Sequence, residues 1–153
     1  MPPKRKANAI AKDASKQTFY VLKSHYQDDD YKAVGSASEV VAIYANKTPA
    51  QIAAILPNLE EHFIEFFDDD SSLRENLKAV SPTLEKHLTQ SSRNDERIPT
   101  KIDDYAKVIE EMPAAKIAAI YKEVVQFVSS REPEFTCNPG GTMYDVTASE
   151  VVY

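Results

Sequence analysis

Thr48-Pro49-Ala50-Gln51-Ile52-Ala53-Ala54-Ile55 decides how this chain is read. Thr48 and Gln51 stand three apart, the spacing at which their side chains satisfy each other's free backbone donors at a helix start. Pro49 takes the first helical position, where a missing N–H costs nothing. The same start chemistry recurs on both sides. Ser36 precedes Glu39, Asn58 precedes Glu61, Ser72 precedes Glu75, and Ser81-Pro82 and Met112-Pro113 repeat the proline start. Read outward, these signals predict helices over about 37–46, 49–56, 59–67, 73–79, 82–89, 101–111 and 113–129. With only three glycines in 153 residues, the connections are short and tight. The expected fold is mainly α, a compact bundle of about six or seven short helices with an extended N-terminal arm and an extended C-terminal tail.

Apolar spacing supplies the expected core: Val41, Ile52, Ile55, Leu59, Phe63, Phe66, Leu84, Val108, Ile117, Ile120, Val124 and Phe127, each with neighbours at i+3 or i+4. Gln51–Ile55 and Lys116–Ile120 share the run Ile-Ala-Ala-Ile at an offset of 65 residues, and Ile43 and Tyr44 match Val108 and Ile109 at the same offset. That echo raises the question of a duplicated unit. Before the bundle, Thr18–Leu22 fits a helix or a short strand equally, because periodicity does not separate the two in so short a run. Thr89–Thr100 is polar and reads as the main loop. After residue 130, Asn138-Pro139-Gly140-Gly141 is a turn signal and Val146–Tyr153 is β-branched and aromatic. Three units result: a basic arm at 1–12, a helical domain at 13–130 and an extended tail at 131–153.

Charge divides the chain unevenly. Lys4, Arg5, Lys6, Lys12 and Lys16 face one acid, Asp13, in the first 17 residues, a net of +4. The whole chain is −6, so residues 18–153 carry −10. A cationic arm on an acidic body can hold an anionic partner that the body repels. Nucleic acid or an acidic surface is the partner expected for residues 4–16, through phosphates rather than base stacking, since no aromatic is interleaved there. No run reaches the roughly 18–20 apolar residues that span a bilayer. The single cysteine, Cys137, fits a reducing, intracellular setting.

Candidate chemistry is sparse. Asp28–Asp30 and Asp68–Asp70 lack the alternating oxygens and glycine of a calcium loop. His25, His62 and His87 have no metal-ligand spacing, and His62 with Glu65 is a surface pair. Cys137 sits among acids, against the thiolate a nucleophile needs. No catalytic residue, cofactor or metal is therefore expected, and the protein reads as no enzyme. Numerous tyrosines favour protein contacts instead. The tail ends apolar, and Tyr144, Val151, Val152 and Tyr153 are the expected partner-binding residues there, with Lys4, Arg5, Lys6, Lys12 and Lys16 on the arm. The expectation is a non-enzymatic structural subunit tethered by both tails to other protein subunits of a large assembly, such as a minor capsid protein of a virion. The alternative is a nuclear adaptor or nucleic-acid-associated protein using the arm.

Overall fold

A computed structural model of the chain describes residues 16–27, 36–64, 73–91, 98–130 and 142–152. Two strands come first, β1 (Lys16–Gln27) and β2 (Ser36–Tyr44). Helix α1 (Lys47–Leu59) follows and widens into a π-helical turn at Glu60–Ile64. Then come α2 (Leu73–Val80), α3 (Pro82–Ser91), α4 (Ile102–Glu110) and α5 (Ala114–Ser130). The last element is strand β3 (Thr142–Val152). The three strands form one antiparallel sheet with β1 in the centre, in the order β2-β1-β3. Among the described residues the fold is thus five helices beside a three-stranded sheet. It corrects the expected bundle of six or seven helices with two extended ends.

Two segments account for the correction. The helix expected at 37–46 is strand β2, whose Ser36 and Glu39 mimic a helix start by spacing alone. In the sheet they stand opposite Gln27 and Ser24 of β1. Val40, Val41, Ile43 and Tyr44 then favour the pleated surface, and pairing with β1 overrides the local signal. The expected C-terminal extension is strand β3, paired with β1 from Lys16–Val152 to Tyr26–Thr142. Thr18–Leu22, ambiguous by pattern, lies within β1. The arm at 1–12, the acid clusters at 28–30 and 68–70, and Cys137 lie outside the described residues.

From residue 47 onward the helices lie close to their expected places, but α1 begins at Lys47 with Asn46 at its cap position and no side-chain cap bond, so Thr48 and Pro49 stand inside the helix and not at its start. The expected start chemistry is seen at Ser81-Pro82. At α3 it accounts for each early donor. Pro82 has none, Thr83 N–H donates to Glu123 Oε1 at 3.1 Å, and Leu84 N–H donates to Ser81 Oγ at 3.2 Å. Glu85 N–H then closes the first helical bond on the Ser81 carbonyl at 3.0 Å. The Glu123 carboxylate also accepts from the Ser81 and Thr83 hydroxyls, each at 2.7 Å, and so ties α5 to the positive end of α3. Asn58 behaves otherwise than its spacing to Glu61 suggested. It lies inside α1, just past Pro57, and starts no helix.

The core is built by the helices. Ile55, Leu59, Phe63, Leu84, Ile117, Ile120 and Val124 are buried as expected, with Ile52, Val108 and Phe127 packed against them. Phe63 meets Tyr105 edge to face, ring centroids 6.2 Å apart. Leu77, Val80, Leu88, Ile98, Tyr105, Ile109 and Met112 join this cluster from outside the expected core set, Ile98 from the segment read as a loop. Val41 is a correction, since it is exposed on β2. Phe66 lies outside the described residues. The two Ile-Ala-Ala-Ile runs fall on α1 and α5, which pack against each other. What precedes them differs, a strand at Ile43-Tyr44 and a helix at Val108-Ile109, so the echo marks no duplicated unit.

Candidate functional site

Alternation along the strands gives the sheet two unlike faces. Leu22 and Ser24, buried at 4% and 7% exposure, look toward the helices, and α1 packs on both β1 and β3. Phe19, Val21, Lys23 and His25 lie on the opposite, outer face. Register adds Ile43 opposite Val21, Val40 opposite Lys23, Ser38 opposite His25 and Val151 opposite Gln17. No helix covers this face among the described residues. The exposed large hydrophobic side chains of the described residues are Val40 (59%), Val41 (52%), Ile43 (64%) and Val151 (38%). All four sit on the sheet and three on β2. A cluster of this kind on one surface marks a contact region more than scattered apolar residues do.

One end of that face is polar. His25 Nε2 donates to Asp145 Oδ1 at 2.8 Å, and His25 Nδ1 lies 2.7 Å from Ser38 Oγ. With Nε2 carrying the proton toward the carboxylate, a neutral ring accepts from the hydroxyl at Nδ1. Serine, histidine and carboxylate in a row are also the parts of an activated nucleophile. Among the described residues the setting supplies only half of that machinery. Ser38 is in mid-strand, where neighbouring N–H groups lie in the sheet plane and do not converge above a side chain. What the row does in the fold is clasp β3, β1 and β2 together across one face.

The outer edge of β3 is closed by side chains from the helices. Asn58, 1% exposed, matches the Tyr144 backbone as a strand would, donating Nδ2 to its carbonyl at 2.8 Å and accepting its N–H at 2.9 Å. His62 Nε2 donates to the Thr142 carbonyl at 2.6 Å. The Tyr121 hydroxyl accepts from Val146 N–H at 2.7 Å and lies 3.3 Å from the Val146 carbonyl, to which it donates. The spacing explains the fit. Four residues along a helix advance about 6 Å, and two along a strand advance about 6.8 Å. Asn58 and His62 therefore meet alternate residues of β3. Burial raises the Tyr121 phenol above its ordinary value, the Val146 N–H opposes that, and Asp145 adds to it. Tyr144 is raised by burial, then by Glu61 and Glu60.

Of the expected contact residues, Tyr144 is half-buried in β3 and engaged by Asn58, and Val151 is exposed on the outer face. Val152 stands opposite Lys16, itself exposed on β1. Lys4, Arg5, Lys6, Lys12 and Tyr153 lie outside the described residues. Val40, Val41 and Ile43 were missed because a helix was expected there. Four β-branched or aromatic residues in the five of Val40–Tyr44 were the signal that finds them. Among the described residues no cluster of three or more His, Cys, Asp or Glu side chains can hold a metal ion, and no helix is long and apolar enough to cross a membrane. Comparison with known protein families, curated proteins and solved structures finds no match to this chain.

Proposed function

We propose that the protein is a non-enzymatic interaction subunit that docks on other protein through its sheet. The observation that carries this reading is the concentration of exposed large apolar side chains on β2 and at Val151, beside a helical body that buries its own apolar stripes. Among the described residues the helical core packs without them, which supports a contact made outside the helices. The arm from Lys4 to Lys16 adds a cationic, salt-sensitive contact for an acidic surface or nucleic acid. An intracellular, reducing setting suits it, in a particle or in the nucleus. A capsid-associated role drew on two free tails. With Thr142–Val152 engaged as a strand, the general reading of an assembly subunit is the better supported one.

The test is the native mass of the chain purified from its source, beside a Val40→Lys/Ile43→Lys double variant. Wild type is expected in a complex well above 17.1 kDa, and the variant as the chain alone. Wild type at 17.1 kDa, or a complex indifferent to both substitutions, refutes the reading.

A further inference from the structure

A three-stranded sheet has two edges, and this fold treats them differently. On β3 the backbone groups of Thr142, Tyr144 and Val146 are engaged by His62, Asn58 and Tyr121. These alternate residues are therefore the ones whose polar backbone points away from β1. In an antiparallel ladder the residues opposite them, among them Leu22 and Ser24, must turn their own N–H and C=O toward β2, where they meet Ala42 and Glu39. By the same alternation, the backbone groups on the free side of β2 belong to Ser38, Val40 and Ile43. Among the described residues no side chain or strand is bonded to that row. Among the described residues one edge is closed and the other stands open.

Resting on the interaction reading above, we propose that a second copy of this chain occupies the open edge. The two β2 strands run antiparallel about a two-fold axis, giving a six-stranded sheet ordered β3-β1-β2-β2-β1-β3. The irregularity between Leu22 and Lys23 favours a copy over an unrelated strand. It skips Val41, so Val40 and Ile43, three apart, share the outer face and both direct backbone groups outward. In the two-fold register Val40 stands opposite Ile43 of the second copy, with each pair exchanging two backbone bonds. Residues three apart on a regular strand lie on opposite faces and cannot pair this way. Charge agrees with this register. Glu39 is the one charged residue of β2, and it comes opposite Tyr44 rather than the other Glu39. The strand also has no lysine or proline, the residues that commonly guard an edge.

The experiment is native mass and sedimentation of the purified recombinant full chain over a range of concentrations. A species of twice 17.1 kDa is expected. Val40→Lys and Ile43→Lys, both at exposed positions, should leave the circular dichroism unchanged and weaken the dimer at least about tenfold. Register is read by Val40→Cys/Ile43→Cys in a Cys137→Ser background. Paired residues in a hydrogen-bonded antiparallel pair lie about 5.5 Å apart at Cα, within disulfide range. Val40 and Ile43 face Lys23 and Val21, two residues or about 6.8 Å apart, so single Val40→Cys and Ile43→Cys chains are also mixed to exclude an internal bridge, and oxidation should give covalent dimers in both experiments. A monomer at every concentration, a dimer unaffected by either lysine, or no cross-link overturns the proposal. A recombinant monomer beside a source complex that Val40→Lys/Ile43→Lys dissolves overturns the second copy alone and leaves the interaction reading standing.

Discussion

Replacing Asn58 tests whether a helix side chain stands in for a fourth strand at β3. Its amide makes two backbone bonds to Tyr144, at 2.8 and 2.9 Å, from a site 1% exposed. A typical intramolecular hydrogen bond contributes about 0.5–1.5 kcal/mol, and stranding a buried polar group costs about 1–3 kcal/mol. Tyr144 is only half-buried, so water relieves part of the loss. Asn58→Ala should then cost about 2 kcal/mol, two bonds at the middle of the per-bond range. Asn58→Asp separates the bonds from the side-chain volume. It keeps an acceptor for the Tyr144 N–H but puts a carboxylate oxygen against the Tyr144 carbonyl. Above the ordinary aspartate range near 3.9 it should cost at least as much as alanine. Toward that pH, protonation returns a donor and narrows the gap to wild type. Urea unfolding gives the stability change, and hydrogen exchange at the Tyr144 amide gives its location. Unchanged midpoints, or an unchanged Tyr144 amide in both variants, would refute the edge-closing role.

Other side chains make equally definite forecasts. The Tyr105 hydroxyl is buried with no hydrogen-bond partner among the described residues, and burial raises its pKa. Tyr105→Phe should be neutral or stabilise by up to about 1 kcal/mol, and a clear loss in urea unfolding would show that the hydroxyl is satisfied. Glu123→Ala should cost about 2–4 kcal/mol in the same assay, since it removes a charged acceptor for two hydroxyls and one N–H at the start of α3. His87 is held below its ordinary 6.5 by burial and then by Lys116, whose Nζ lies 3.1 Å from Nδ1. Its folded form resists a proton that the unfolded chain accepts. Stability is therefore full above 6.5 and falls as pH drops through 6.5 toward the lower folded value. His87→Gln should flatten that acid-side decline in thermal melts between pH 7 and 5, and an unaltered slope would assign the loss elsewhere.

The helices from residue 47 onward were legible because their signals are local. A capping residue, a first-turn proline and an i, i+4 stripe lie within one segment, and Ser81-Pro82 made its helix just as its chemistry required. The strands were not legible for the converse reason. β2 and β3 are each paired only with β1, and β1 meets Val152 across more than 130 residues of sequence. No local window holds that information. Within β2 the local signals conflict, Ser36-Glu39 pointing to a helix and Val40–Tyr44 to a strand, and long-range pairing decides between them. The site was hidden by the same error. Once 37–46 is read as helix, Val41 belongs to a core, and Val40 and Ile43 draw no notice. The contact role expected of Val151 came from its apolar character, and the residue is exposed on the outer face.

The unequal edges connect fold to function more firmly than composition does. An unpaired strand edge invites further pairing, and a soluble protein ordinarily covers, charges or interrupts it. Here three side chains from α1, the π-helical turn and α5 close β3 at successive outward positions. Pro57 withholds a backbone donor near the end of α1, and the turn that follows is π-helical. That irregular stretch carries both Asn58 and His62 to the strand. The chain thus commits buried polar groups to one edge while the other bears Val40, Val41 and Ile43 in the open. If edge closure served only to prevent aggregation, β2 would need it more, because its side chains are the more apolar. Among the described residues the polar-flanked edge is closed and the apolar one free, the arrangement expected if pairing is directed to a single side.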